Sequence, residues 1–144
     1  MESATLNLRR ADEPAATSVL PVDDQPAFRD AVRELVEATS GMVVVGEADS
    51  GERALELVEQ LRPDLVLMDV RMPGIGGVGA TRMIKKAHPS AVVVLVSTAA
   101  PEELPAEAGD CLADALVWKG ALRPALLEEL WLRHRPREQP ASLS

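Results

Sequence analysis

The chain is almost without aromatic residues: one Phe, two Trp and no Tyr among 144 positions, 2% in all. Its core must therefore be aliphatic, built from Val, Leu, Ile, Ala and Met. Cysteine is scarce too, and the single Cys111 excludes an intrachain disulfide and fits a reducing compartment. No stretch approaches the roughly 18 consecutive apolar residues of a membrane span. From Met1 to Ser18 there is no apolar run of the kind a secretory signal needs, so the expected location is the cytoplasm, away from membranes. Basic residues are in deficit: Lys+Arg 15 against Asp+Glu 23 leaves a net charge of -8. Such a surface has no overall attraction to nucleic acid, and direct nucleic-acid binding is not expected. Only two histidines occur, and neither His88 nor His134 has partners at the spacing of metal ligands.

What is present is an ordinary globular balance, 47% hydrophobic and 26% charged, in a length that suits one domain. Residues 1–17 mix polar residues and proline without an apolar period and read as a disordered tail, as do residues 136–144. The domain is expected over residues 18–135. Within it, short apolar runs from Val19 to Val22, Met42 to Val45, Leu65 to Met68, Ala91 to Val96 and Ala115 to Trp118 have the length of strands covered on two sides.

Helical periods lie between them. Pro26 suits the first turn of a helix whose apolar face is Phe28, Ala31, Val32, Leu35 and Val36. Asp49 or Ser50 caps a second, expected to bury Ala54, Leu55, Val58 and Leu61. A third runs from about Val78 to Ala87 and stops before His88-Pro89. A last one starts at Pro124 and presents Leu126, Leu127, Leu130 and Trp131. Between Pro101 and Cys111, two prolines and Gly109 predict a short or broken helix. Strand–helix units in succession imply an α/β fold, a doubly wound five-stranded parallel sheet with helices on both faces.

In such a sheet, functional groups gather at the carboxyl ends of the strands. Those ends carry Asp23 and Asp24, then Asp69, then Ser97 and Thr98, then Lys119. Three carboxylates brought together repel, and oxygen ligands with room for water suit Mg2+. Lys119 adds a compact positive charge for phosphoryl oxygens, and Ser97 a hydroxyl. Together they form a phosphoryl-transfer site built on positioning and charge neutralisation. Each residue also has a plainer reading: Asp23 and Asp24 as helix caps, Asp69 as turn chemistry before Met72-Pro73-Gly74, Ser97 as a strand end and Lys119-Gly120 as a solvated turn. Their joint placement on one edge of the sheet favours the functional reading.

The chain resembles the receiver domains of bacterial two-component response regulators, in the branch that usually precedes a helix-turn-helix output domain. The resemblance is carried by Val22-Asp23-Asp24-Gln25-Pro26, by Pro63 to Gly74 around Met68-Asp69, by Val96-Ser97-Thr98 and by Trp118-Lys119, with intervals 97 − 69 = 28 and 119 − 97 = 22. It implies a flavodoxin-like strand order 2-1-3-4-5. It also implies roles: Asp69 as phosphoryl acceptor, Asp24 as a direct Mg2+ ligand, Asp23 mainly through water, and the backbone carbonyl of Arg71 completing the metal site. Lys119 would contact the phosphoryl group and Ser97 would be the switch hydroxyl.

Departures from the pattern are Pro21 inside the first strand, Leu116 where an aromatic switch residue is common, Gly76 where an acid is frequent, and the proline-rich segment after Ala100.

The implied function is a phosphoacceptor signalling module, phosphorylated by a sensor histidine kinase or phosphotransfer protein and acting on a downstream protein target, with homodimers possible. It would catalyse only its own phosphorylation and dephosphorylation. The alternative is an atypical receiver-fold interaction module that binds partners independently of phosphorylation. An aspartyl-phosphate phosphatase would need a second acid two residues after its nucleophile, where Arg71 stands. About eleven residues follow Arg133, too few for a helix-turn-helix unit, so the expectation is a stand-alone receiver.

Overall fold

A computed structural model describes residues 16–99 and 112–136 of the chain. The expected helix between Pro101 and Cys111, and all but the end of the first tail and the start of the second, lie outside the described residues. Within them, β1 (Thr17–Val22), β2 (Met42–Val44), β3 (Leu65–Asp69), β4 (Val92–Ser97) and β5 (Ala115–Trp118) form one sheet in the order β2-β1-β3-β4-β5. Every pairing is parallel. The helices are α1 (Pro26–Glu37), α2 (Gly51–Leu61), α3 (Gly76–Ala87) and α4 (Pro124–His134). None among the described residues is long and apolar enough to cross a membrane.

Alternation along the strands divides the core in two. Leu20, Val22, Val66, Met68, Val93 and Leu95 face one side, where α2 and α3 supply Ala54, Val58, Ala80 and Ile84. Val19, Leu65, Leu67, Val92, Val94 and Val96 face the other, where α1 and α4 supply Val32, Val36, Leu127 and Leu130. The central strands β1, β3 and β4 are apolar at consecutive positions because helices cover both faces. The edge strands β2 and β5, expected to be covered on two sides, instead expose Val43, Leu116 and Trp118 among the described residues. The parity that sends Leu65 and Leu67 toward α1 continues to Asp69, and that of Val19 continues to Asp23.

Local signals set the helix starts. Proline occupies the first turn of α1 and of α4, where its missing N–H costs nothing. Ser50 caps α2, its hydroxyl accepting from the Arg53 amide at 3.0 Å.

Pro21 lies in a central strand at little cost. Its carbonyl accepts from the Ala48 amide at 3.0 Å, so its missing donor also points toward β2. There β2 has already ended: Val19 pairs with Val44, but Val22 bridges Ala48. Three steps along β1 match four along the neighbour, and the bulge falls where proline has no N–H to offer. The β1–β3 ladder on the other side runs unbroken from Val19↔Leu65 to Val22↔Met68.

Several boundaries and faces differ from the sequence expectation. β1 begins at Thr17, whose amide donates to the Gly41 carbonyl at 2.7 Å. β2 stops at Val44 because of the bulge. Ala91 belongs to a turn, donating to His88, and β4 starts one residue later. Helix α3 begins at Gly76 rather than Val78. Ala31 is exposed on α1. Leu61 ends α2 at 40% exposure, beside Arg62 in the left-handed conformation, while Leu57 is buried instead.

Candidate functional site

The carboxyl ends of β1 and β3 bring together Asp23, Asp24 and Asp69, each offering a carboxylate oxygen within 4.8 Å of the others. Asp23 is 1% exposed and Asp69 7%, while Asp24 opens to solvent. From the end of β5, Lys119 Nζ donates to Asp23 Oδ2 at 2.7 Å and lies 3.5 Å from Asp69 Oδ1. The same ammonium lies 4.0 Å from the centroid of the Phe28 ring on α1.

Backbone hydrogen bonds fix the acidic turn. Asp23 Oδ1 accepts from the Gln25 amide at 2.8 Å, so its second oxygen is left for Lys119. Arg29 Nη1 donates to the Asp23 carbonyl at 2.6 Å, and its Nε pairs with Glu47 at 3.3 Å. Arg33 also pairs with Glu47, tying the start of α1 to the segment after β2. Asp23 does not cap α1, whose N-cap is Gln25 without a side-chain hydrogen bond; its Oδ1 closes a local turn onto the Gln25 amide while Oδ2 faces Lys119.

Charge is unbalanced in this cluster, with three carboxylates facing one ammonium. Burial pushes the Asp69 carboxyl up to about 6, with the charge of Asp23 adding to the effect and Lys119 offsetting part of it. A buried carboxylate held beside two others is a poor fit to water alone. The oxygen-only donor set, without thiolate or imidazole, fits a hard divalent cation such as Mg2+.

Ser97 and Thr98 separate by burial. Ser97 ends β4 at 3% exposure, its hydroxyl accepting from the Ala99 amide at 2.9 Å, whereas Thr98 is exposed. Ser97 is next to Val96, whose carbonyl accepts from Val70 at 3.0 Å directly after Asp69. Arg71 is exposed on the loop leaving β3, two residues beyond Asp69. Leu116 is 39% exposed on β5.

The loop from Asp69 into α3 depends on glycine. A Cβ at Gly77 would lie 1.8 Å from the Asp69 carbonyl oxygen, and the Gly77 amide donates to Val70 at 3.1 Å. Gly76 has φ +72°, a left-handed conformation that glycine adopts without strain. Glu52, on the first turn of α2, accepts from the Ile75 amide at 3.1 Å and steadies this loop. Phe28, Arg29, Glu52 and Gly77 escaped the sequence reading as parts of the site. Only Arg29 carried a signal, as a cation one turn into the helix that follows the acidic pair; Phe28 reads as part of that helix's apolar face.

The description "response regulator receiver domain" matches residues 19–130. The chain belongs to this family. This receiver is 42% identical over 103 residues to the response regulator GacA of Pseudomonas viridiflava, covering 72% of this chain and 48% of that protein. It is 38% identical over 91 residues to the nitrate/nitrite response regulator NarL of Escherichia coli, covering 63% and 41%. The receiver thus spans about half the length of the curated relatives it matches. Among solved structures, the signal receiver domain of the putative regulator NarL from Mycobacterium tuberculosis superposes with TM-score 0.77 at 29% identity, covering 86% of this chain and 100% of that one. Receivers of this kind are signalling modules, and the relatives are regulators rather than classical enzymes.

One expectation is corrected. Nucleic acid was excluded on net charge, yet similar structures include a DNA-binding response regulator of the LuxR family from Staphylococcus aureus, at TM-score 0.69 and 29% identity over 78% of this chain and 93% of that one. Net charge describes the field of this stretch of chain alone. It does not decide what a regulator containing such a receiver contacts.

Proposed function

We propose that this receiver accepts a phosphoryl group on Asp69 from a phosphohistidine of a sensor kinase or phosphotransfer protein in the cytoplasm, and signals through protein contacts. An Asp69 carboxylate oxygen attacks phosphorus, the P–O bond of an acyl phosphate forms, and the P–N bond to the donor imidazole breaks. The departing imidazole keeps the bonding pair and takes up a proton.

The observation that carries this reading is the meeting of Asp23, Asp24 and Asp69 within 4.8 Å, with Lys119 between Asp23 and Asp69. Asp23, Asp24 and Asp69, with the Arg71 carbonyl, would hold Mg2+. When bound, the ion supplies positive charge that offsets the charge on the phosphoryl oxygens. Lys119 turns its ammonium from Asp23 toward those oxygens, and the Ser97 hydroxyl exchanges its bond with the Ala99 amide for one to the phosphoryl group. The burial of Ser97, against the exposure of Thr98, supports it as the switch hydroxyl.

Incubation with acetyl phosphate and Mg2+, followed by intact-mass measurement, tests the reading. One added phosphoryl group is expected, absent from Asp69→Asn. A chain that stays unmodified favours a receiver fold that binds partners without phosphate.

A further inference from the structure

The period of α1 assigns Phe28 to an apolar face, but its ring has a second neighbour. Lys119 Nζ stands 4.0 Å from the ring centroid, with only 12% of the lysine side chain exposed. The other partners of the ammonium are Asp23 Oδ2 at 2.7 Å and Asp69 Oδ1 at 3.5 Å. Among the described residues, Lys119 is therefore flanked by two carboxylates and one aromatic face.

The chemistry of that face matters. A lysine stem has several rotatable bonds, and holding its end in one place is entropically costly. A carboxylate or amide at position 28 would hold the ammonium by a directional hydrogen bond and compete with any incoming oxygen. The quadrupole of a benzene ring attracts the cation without a strong acceptor of its own. The N–H donors turned away from the ring stay directed at oxygens on the side of the acceptor, one of them now bonded to Asp23.

We propose that Phe28 is a positioning residue for phosphoryl capture: its ring holds the Lys119 ammonium beside the acceptor carboxylate while leaving its N–H groups able to move from Asp23 to arriving phosphoryl oxygens. The inference rests on Asp69 being the acceptor. It gives the only phenylalanine in the chain a role that an aliphatic residue of similar size would not fill.

Two measurements on the full chain test it. In proton NMR of the unphosphorylated protein, the Lys119 side-chain methylenes are expected upfield, shifted by the ring current of Phe28. That shift should vanish in Phe28→Leu and persist in Phe28→Tyr. With acetyl phosphate and Mg2+, Phe28→Leu should be phosphorylated about fivefold more slowly, at an unchanged melting temperature, and Phe28→Tyr near the wild-type rate. Pentafluorophenylalanine at position 28 keeps the shape of the ring and inverts its quadrupole, and should behave as Phe28→Leu does, so a folding defect in the leucine variant leaves the test intact. A wild-type rate in the fluorinated or the leucine variant overturns the inference alone. A wild-type chain that takes no phosphoryl group overturns the reading on which it rests.

Discussion

Lys119 sits closer to Asp23 than to Asp69: its ammonium is 2.7 Å from the first carboxylate and 3.5 Å from the second. This pair joins the ends of β5 and β1, with β3 and β4 between them in the sheet. In the proposed reaction Asp23 would hold the lysine until a phosphoryl group competes for it.

The first prediction concerns the titration of Asp69. Without divalent cation, its carboxyl should titrate at about 6, raised by burial and by Asp23. Asp23→Asn should lower that midpoint, because a repelling charge is lost. Lys119→Met should raise it, because the attracting charge is lost. Carboxyl-carbon NMR reads both directions, and a midpoint unmoved in Asp23→Asn would contradict the assignment.

A linked effect on stability follows from the same shift. The folded pKa lies above the ordinary 3.8, so the folded state binds the proton more tightly than the unfolded state. The contribution of Asp69 is present in full below about pH 3.8 and is lost as pH rises through about 6. In metal-free buffer, Asp69→Asn should therefore be more stable than wild type above pH 6, by on the order of 1–2 kcal/mol. The advantage should close on acidification toward pH 4. Denaturant melts across this range measure it.

Two glycines in α3 should respond oppositely to alanine. At Gly77 the new methyl would meet the Asp69 carbonyl oxygen at 1.8 Å, and the backbone there cannot yield without moving the acceptor. Gly77→Ala should cost about 3 kcal/mol. At Gly79 the methyl meets Ile75 Cβ at 3.5 Å, an ordinary contact. Gly79→Ala should stabilise by about 0.5–1 kcal/mol, since helix interiors favour alanine. Thermal melts of the two variants decide it.

The clamp of Arg29 on the Asp23 carbonyl should matter for cation binding without touching the ion. Arg29→Met releases the turn that carries Asp23 and Asp24, and should weaken Mg2+ binding about tenfold. Calorimetric titration is the readout; an unchanged affinity would show that the turn holds its shape unaided.

Sequence patterning made the fold legible because both faces of the central strands are covered, so these strands are continuous apolar runs and the helices are periodic. It misplaced Ala31 and Leu61 because periodicity gives the direction of a side chain but not how far its neighbours reach. Pro21 read as an anomaly, since a bulge depends on the path of the neighbouring strand between Val44 and Ala48. In the site, the acidic and basic residues were legible from their positions at strand ends. Phe28 and Gly77 were not: one resembles core and the other a loop filler, until the fold brings Lys119 over the first and the Asp69 carbonyl against the second. Nucleic acid is a different case, because net charge describes only the residues counted and does not exclude DNA contact by a regulator that contains such a receiver.

If Asp69 sits in a working phosphoacceptor pocket, that pocket should bind a phosphoryl mimic together with Mg2+. Amide NMR of the chain titrated with beryllofluoride and Mg2+ tests it most directly. Saturable shifts centred on Asp23, Asp24, Asp69, Ser97 and Lys119 are expected, requiring both components and disappearing in Asp69→Asn. A spectrum unchanged at saturating beryllofluoride and Mg2+ would contradict it.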